Sequence, residues 1–240
     1  MLHHTTQKLP QDFVDVQKVV PDALVALKYA TPYNFLGRPL KGYRCQRPLL
    51  TAKAAEALLK AAQTFKKAGF GLVLYDTYRP LKAVRDLVAW GDENAAPAKV
   101  RALKALYYPT FEKKELFLKG YISDQSAHAR GSTVDLTLID LKRTPLFDPC
   151  QGEVTTQTLS DGRVLQVIDD GTLDMGGHFD LFDPSAHQGS LLVSPTAQQN
   201  RAYLLDVMRA VGFQPIQTEW WHFTLENEPF KEQSFDFDVA

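Results

Sequence analysis

Between Thr51 and Tyr78 the hydrophobic rhythm of the chain changes, and that change restricts the fold more than any other stretch. From Thr51 to Lys67 the residues Ala55, Leu58, Leu59, Ala62 and Phe65 fall on one face of a 3.6-residue period. This predicts an amphipathic helix, capped by Thr51 and ended by Gly69. The run that follows, GLVLYDTY, is apolar without clear alternation and reads as a buried strand. Pro80 then opens a second helix that reaches about Trp90. Helices and a buried sheet must therefore share one core.

The rest of the chain extends this α+β reading. Residues 13–48 mix short β-prone runs with Pro and Gly, which predicts strands and loops, and GDENAAPAK is a polar stretch. Val134, Leu136 and Leu138 alternate with Asp135, Thr137 and Ile139, the period of a strand. TQTLSDGRVLQVID predicts a hairpin, with Asp161 and Gly162 supplying positive φ angles at its turn. Ser194 and Pro195 form a cap and first-turn proline for a helix running to Gly212. TEWWHFTLE is aromatic and β-prone and predicts a central strand. No linker or repeat is visible. Residues 1–12 read as a loose arm, and 13–240 as a single domain whose central antiparallel sheet carries the site.

Charge and composition exclude several classes of partner. A net charge of -1 gives no bulk attraction to nucleic acid or anionic membranes. No apolar run approaches the roughly 20 residues of a membrane helix. The opening MLHHTTQKLP lacks the apolar core of a signal peptide. The expectation is a cytoplasmic protein as the sequence stands, or a periplasmic one if the chain is a trimmed mature form. Cys45 and Cys150 are two unrelated thiols or one long-range disulfide.

Few of the six histidines suit chemistry. His3 and His4 sit in the arm, His178 reads as a surface or loop residue, and His187 reads as structural. His128 and Asp135 offer the imidazole and carboxylate that zinc accepts. Their spacing would place them on opposite faces of an unbroken strand, so Ala129–Ser132 must bend, and Gly131 permits it. Glu219 and His222 supply a further ligand and a carboxylate close to it, provided that the chain bulges between them. EWWH can also be plain strand, with Trp220 and Trp221 packing on opposite sides. Arg79 ends the buried strand before Pro80, which places either a cation at a sheet end or a surface arginine paired with Asp76.

Taken together, KYATPYNFLGRPLKGY, LYDTYRP, YISDQSAHARGSTVDLTL, MGGHFDLFD, QNRAYLLDVMRAVGF and EWWHF, in that order, resemble the VanX-type D-alanyl-D-alanine dipeptidases. These are a branch of the zinc D,D-peptidases. The resemblance runs from about residue 13 to the FDFDV end and implies a zinc D,D-peptidase or hedgehog-like fold. It implies one Zn2+ per chain held by His128, Asp135 and His222, with Glu219 as general base and Arg79 stabilising the tetrahedral oxyanion. It further implies that Asp180, helped by Ser126, receives the ammonium of a small dipeptide substrate, and that Tyr29 and Tyr43 line its pocket. Two departures stand out: Thr133 replaces a usual alanine, and residues 141–174 form a hairpin-bearing insertion. Two other readings keep the zinc site. One is a carboxypeptidase for longer peptidoglycan stem peptides, against which Asp180 argues. The other is a non-catalytic zinc-binding module, against which Glu219 argues.

Overall fold

A computed structural model of the chain describes residues 9–93, 96–142 and 151–240. The element order is β1 (Phe13–Asp15), α1 (Val16–Val19), β2 (Leu24–Val25), β3 (Leu49–Thr51), α2 (Ala52–Lys67), β4 (Phe70–Asp76), α3 (Leu81–Trp90), α4 (Pro97–Tyr107), α5 (Lys113–Leu118), β5 (Thr133–Asp140), β6 (Glu153–Thr158), β7 (Val164–Asp169), α6 (Pro195–Ala210), β8 (Phe213–Pro215) and β9 (His222–Leu225). Single 3-10 turns cover Lys28–Ala30, Ala127–Arg130 and Pro184–Ala186. The result is one mixed α+β domain. His3, His4, Cys150 and residues 143–150 of the insertion lie outside the described residues.

Local chemistry accounts for the main elements. The Thr51 side chain accepts from the Ala54 N–H and starts α2, and Gly69, at φ +88, lets the chain reverse into β4. Ser194 accepts from Ala197 N–H, and Pro195 occupies the first turn of α6. The two long helices pack on each other and on β4 and β8. The principal sheet has the order β2-β4-β5-β9-β8. Its pairs are antiparallel except β2 with β4, which run parallel, so the expected all-antiparallel sheet carries one parallel edge. Thr133–Ile139 of β5 is buried on both faces, as its place at the centre requires.

Four expectations need correction. TEWWHFTLE is not strand throughout and not central: β9 begins only at His222 and lies one strand from the edge. The hairpin β6–β7 forms as expected, but Gly162 alone takes a positive φ, at +86. Leu159 O accepts from Gly162 N–H while Leu159 N–H donates to Arg163 O, so the turn needs one left-handed residue rather than two. The polar stretch is short, because Pro97 already opens α4. The end of the expected arm is not loose either, since the Asp12 carbonyl accepts from Ala52 N–H at 2.7 Å.

Candidate active site

Strand register builds the centre. In the β5–β9 ladder Asp135 stands directly opposite His222, so both side chains leave the sheet on one face as cross-strand neighbours. His128 arrives from the 3-10 turn Ala127–Arg130, and Gly131 at φ +78 swings the chain from that turn into β5. A Cβ on Gly131 would sit 2.3 Å from the Phe13 ring, so both the torsion and the space require glycine.

The three polar groups then converge. His128 Nε2 is 3.2 Å from Asp135 Oδ2, His222 Nδ1 is 3.1 Å from Asp135 Oδ1, and the two ring nitrogens are 3.3 Å apart. A tetrahedral ion with bonds of about 2.0–2.1 Å would hold its ligand atoms about 3.3 Å from one another. Asp135 Oδ1 is buried without a hydrogen-bond partner, which suits a cation between these groups. His128 Nδ1–H donates to the Thr77 carbonyl at 2.7 Å, turning its Nε2 lone pair toward the cluster. Burial alone would raise the Asp135 carboxyl, but the neighbouring imidazoles, His128 foremost, hold it below the ordinary carboxylate range. Among the described residues this is the one group of three side chains placed to hold a metal ion.

Glu219 sits in the turn that precedes β9, with Oε2 3.7 Å from His222 Nδ1. Trp221 O still accepts from Leu136 N–H of β5, and the chain departs from the ladder at Trp220, whose N–H donates to Ala186 O. Both indoles are buried, while Glu219 turns into the cavity. Burial pushes its carboxyl up to about 8; His222 opposes this, Asp135 and Asp180 add to it, and Arg79 opposes it.

Arg79 is buried, so the surface-arginine reading fails although its partner is indeed Asp76. Its Nε and Nη2 both donate to Asp76 Oδ2 at 2.8 Å, and Nη2 lies 3.8 Å from Asp135 Oδ2. The guanidinium stands 4.6 Å over the Tyr29 ring. The sequence does not mark Asp76 as a functional residue in its own right, because its part depends on tertiary contacts with Arg79 and Tyr43. Tyr43 does not line the cavity; its hydroxyl donates to Asp76 Oδ1 at 2.6 Å, one layer behind Arg79.

These side chains enclose a cavity of about 220 Å³. Tyr29, Arg79, Ser126, His128, Asp135, Asp180, Glu219 and His222 all line it, with Phe35, Ile122, Phe182 and Ile216 as apolar walls. Asp180 is buried in the left-handed region at φ +63, and its Oδ2 has no hydrogen-bond partner. Burial pushes its carboxyl well above the ordinary range, Asp135 adds to this, and Arg79 and a Tyr29 hydrogen bond oppose it.

The remaining candidates fall elsewhere. His178 is buried, not at the surface: its Nδ1 accepts from Ile168 N–H and its ring meets the Tyr107 ring edge-on. Burial lowers it to about 3, so it stays neutral. His187 Nε2 shares a 2.7 Å hydrogen bond with the hydroxyl of Tyr121, a cavity residue that sequence reasoning missed. Thr133 Oγ1 is 2.9 Å from Thr224 Oγ1, which lies 3.5 Å from His222 Nε2. The departure at Thr133 thus sits on the face of β5 that carries Asp135. The β6–β7 hairpin packs Leu159 and Leu165 on Leu181, Val193 and Ala197, next to the segment carrying Asp180. No helix among the described residues is long and apolar enough to cross a membrane.

The chain matches the family described as D-ala-D-ala dipeptidase over residues 10–149 and 151–240. It is 35% identical over 227 residues to a D-alanyl-D-alanine dipeptidase of Enterococcus faecium, covering 95% of this chain and 98% of that one. A D-alanyl-D-alanine dipeptidase of Streptomyces coelicolor is 36% identical over 229 residues, covering 95% and 98%. One from Escherichia coli is 30% identical over 214 residues, covering 89% and 84%.

Proposed function

The chain belongs to the D-ala-D-ala dipeptidase family, and from that premise we propose that His128, Asp135 and His222 hold a zinc ion beside which Glu219, Arg79 and Asp180 divide the labour of hydrolysing D-alanyl-D-alanine. The protein is a metallopeptidase that splits this dipeptide into two D-alanines. The supporting observation is the content of one cavity: a His–Asp–His cluster, a buried carboxylate outside that cluster, and a second buried carboxylate with a free oxygen.

Two neutral imidazoles and one carboxylate leave a bound zinc ion its Lewis acidity, which polarises a carbonyl and lets water ionise near neutral pH. Glu219, held in the turn before β9, takes the proton from the attacking water and returns it to the leaving amine. A base whose pKa is raised toward the working pH can do both, and burial raises that of Glu219. Arg79, fixed by two hydrogen bonds to Asp76, presents its charge where the carbonyl oxygen becomes an oxyanion. Asp180 and Ser126 face the substrate's free ammonium, and Tyr29 lies between Asp180 and Arg79. A buried carboxylate with an unpaired oxygen favours a ligand that carries the opposite charge.

The experiment is hydrolysis by the zinc-loaded protein of D-Ala-D-Ala, L-Ala-L-Ala, N-acetyl-D-Ala-D-Ala and a stem pentapeptide. The expected result is rapid D-alanine release from the first alone. Rapid release from the pentapeptide would replace this reading with the carboxypeptidase one.

A further inference from the structure

Residues 175–188 carry Asp180, and one side chain from α6 ties that segment down on both sides of it. Arg201 Nε donates to the Met175 carbonyl at 2.6 Å, and Nη1 donates to Ser185 O at 2.7 Å and to His187 O at 3.3 Å. Asp180 lies midway between Met175 and Ser185. The same guanidinium stands 5.7 Å over the Trp220 ring. Trp220 N–H donates to Ala186 O at 3.0 Å, and the Gln188 amide reaches the Glu219 and Trp220 carbonyls at 3.4 and 3.2 Å. One buried cation therefore joins the backbone on either side of Asp180 to the residue beside Glu219.

This is a costly way to fill a core. Arg201 is 4% exposed, has no carboxylate within ion-pair distance among the described residues, and leaves Nη2 without a hydrogen-bond partner. Burial pulls its pKa down to about 9 with Asp174 opposing, so it remains charged at neutral pH. An apolar side chain would occupy the same space at lower cost, but could not bind three carbonyls at once. Asp180 adds a strained element, since a residue other than glycine at φ +63 persists only where its surroundings hold it.

We infer that Arg201 is a positioning residue for substrate selection, fixing the 175–188 segment so that Asp180 meets the free ammonium of the dipeptide. This rests on the proposed pairing of Asp180 with that ammonium. A planar fork suits such positioning, because Nε and Nη1 point along fixed, divergent directions, which an ammonium on a flexible stem cannot reproduce.

The test compares Arg201→Lys, Arg201→Ala and Asp180→Ala for zinc content, kcat and KM on D-Ala-D-Ala, and preference for D-Ala-D-Ala over N-acetyl-D-Ala-D-Ala. Arg201→Lys should bind zinc normally, raise KM about 10-fold with a smaller change in kcat, and narrow the preference in the same direction as Asp180→Ala. Millimolar guanidinium should lower the KM of Arg201→Ala. Zinc-loaded Arg201→Lys with wild-type KM and preference would overturn the inference. So would a fall in kcat at unchanged KM, which is what a purely structural role produces through a smaller active fraction. If Arg201→Ala does not fold, Arg201→Lys, which keeps the stem and the charge, decides by the same criteria. If Asp180→Ala itself leaves the preference intact, the ammonium reading fails, and Arg201 is then judged by its KM for D-Ala-D-Ala.

Discussion

The cavity has two walls of different construction. On one, Asp135 and His222 face each other across regular strands, and His128 follows from a single glycine-permitted bend. On the other, Asp180 sits in an irregular segment at a left-handed torsion, held by carbonyls gathered around Arg201. A ladder fixes side chains through many repeated backbone bonds, so no single side chain decides the geometry. A loop has no such redundancy, and its placement passes through one or two buried groups. The metal wall should therefore fail at the ligands themselves, and the recognition wall should fail at a distance.

Variants of increasing subtlety break this comparison or sharpen it. His222→Ala should reduce zinc content to near zero and activity to background; undiminished zinc by metal analysis would remove His222 from the ligand set. Glu219→Gln should keep its zinc and lose about 10²–10⁴-fold in kcat, the usual range for a general base. Joint loss of metal and activity would make Glu219 a ligand or a structural group instead. Arg79→Ala should lower kcat about 10²–10³-fold with a smaller rise in KM, because its partner charge develops in the transition state. A pure KM effect would place it on the ground-state substrate. On the other wall, Asp180→Ala should raise KM about 10²-fold while zinc stays bound, since one partner of a buried charge pair is removed.

The smallest effect concerns both walls in the metal-free protein. Glu219 ordinarily ionises near 4.5 and is pushed up to about 8 when folded. Between those values the folded chain keeps a proton that the unfolded chain has lost, so stability falls as pH rises through the window and levels off above it. Asp180, shifted in the same direction, adds to the slope. Asp135, shifted downward, loses its contribution only when pH falls below the ordinary carboxylate range, outside this window. In chelator, Tm should drop between about pH 6.5 and 8, above the range in which buried neutral His178 acts in the opposite sense, and zinc loading should flatten that drop, because a nearby cation favours the ionised carboxylates. A flat metal-free profile would mean that Glu219 is ionised without the ion.

The two walls also differ in how far the sequence disclosed them. His128, Asp135, Glu219 and His222 lie in short motifs whose strand period and glycine bend are readable one segment at a time. The helix over residues 52–67 and the β6–β7 hairpin are legible for the same reason, since cap and turn residues act locally. Resemblance alone puts Tyr43 on the cavity, yet its hydroxyl reaches Asp76 behind Arg79, a distinction that only tertiary packing makes. Arg201 and Gln188 act on residues far away in the chain, so no local pattern marks them. The helix over residues 97–107 escapes a sequence reading although Pro97 marks its first turn, because the polar residues before it mask the onset of periodicity.

The pairing of Asp135 with His222 also sets a schedule for the newborn chain. His128 precedes His222 by 94 residues, so synthesis at about 5–20 residues per second leaves an interval of roughly 5–20 s between the two imidazoles. During that interval only two of the three proposed ligands, His128 and Asp135, have been made, too few to complete the site. Capture must wait until β9 has crossed to β5, a closure of a long loop and hence a slow step of folding. Metal occupancy would then report that the sheet has been completed, and a mismetallated product would arise after translation rather than during it.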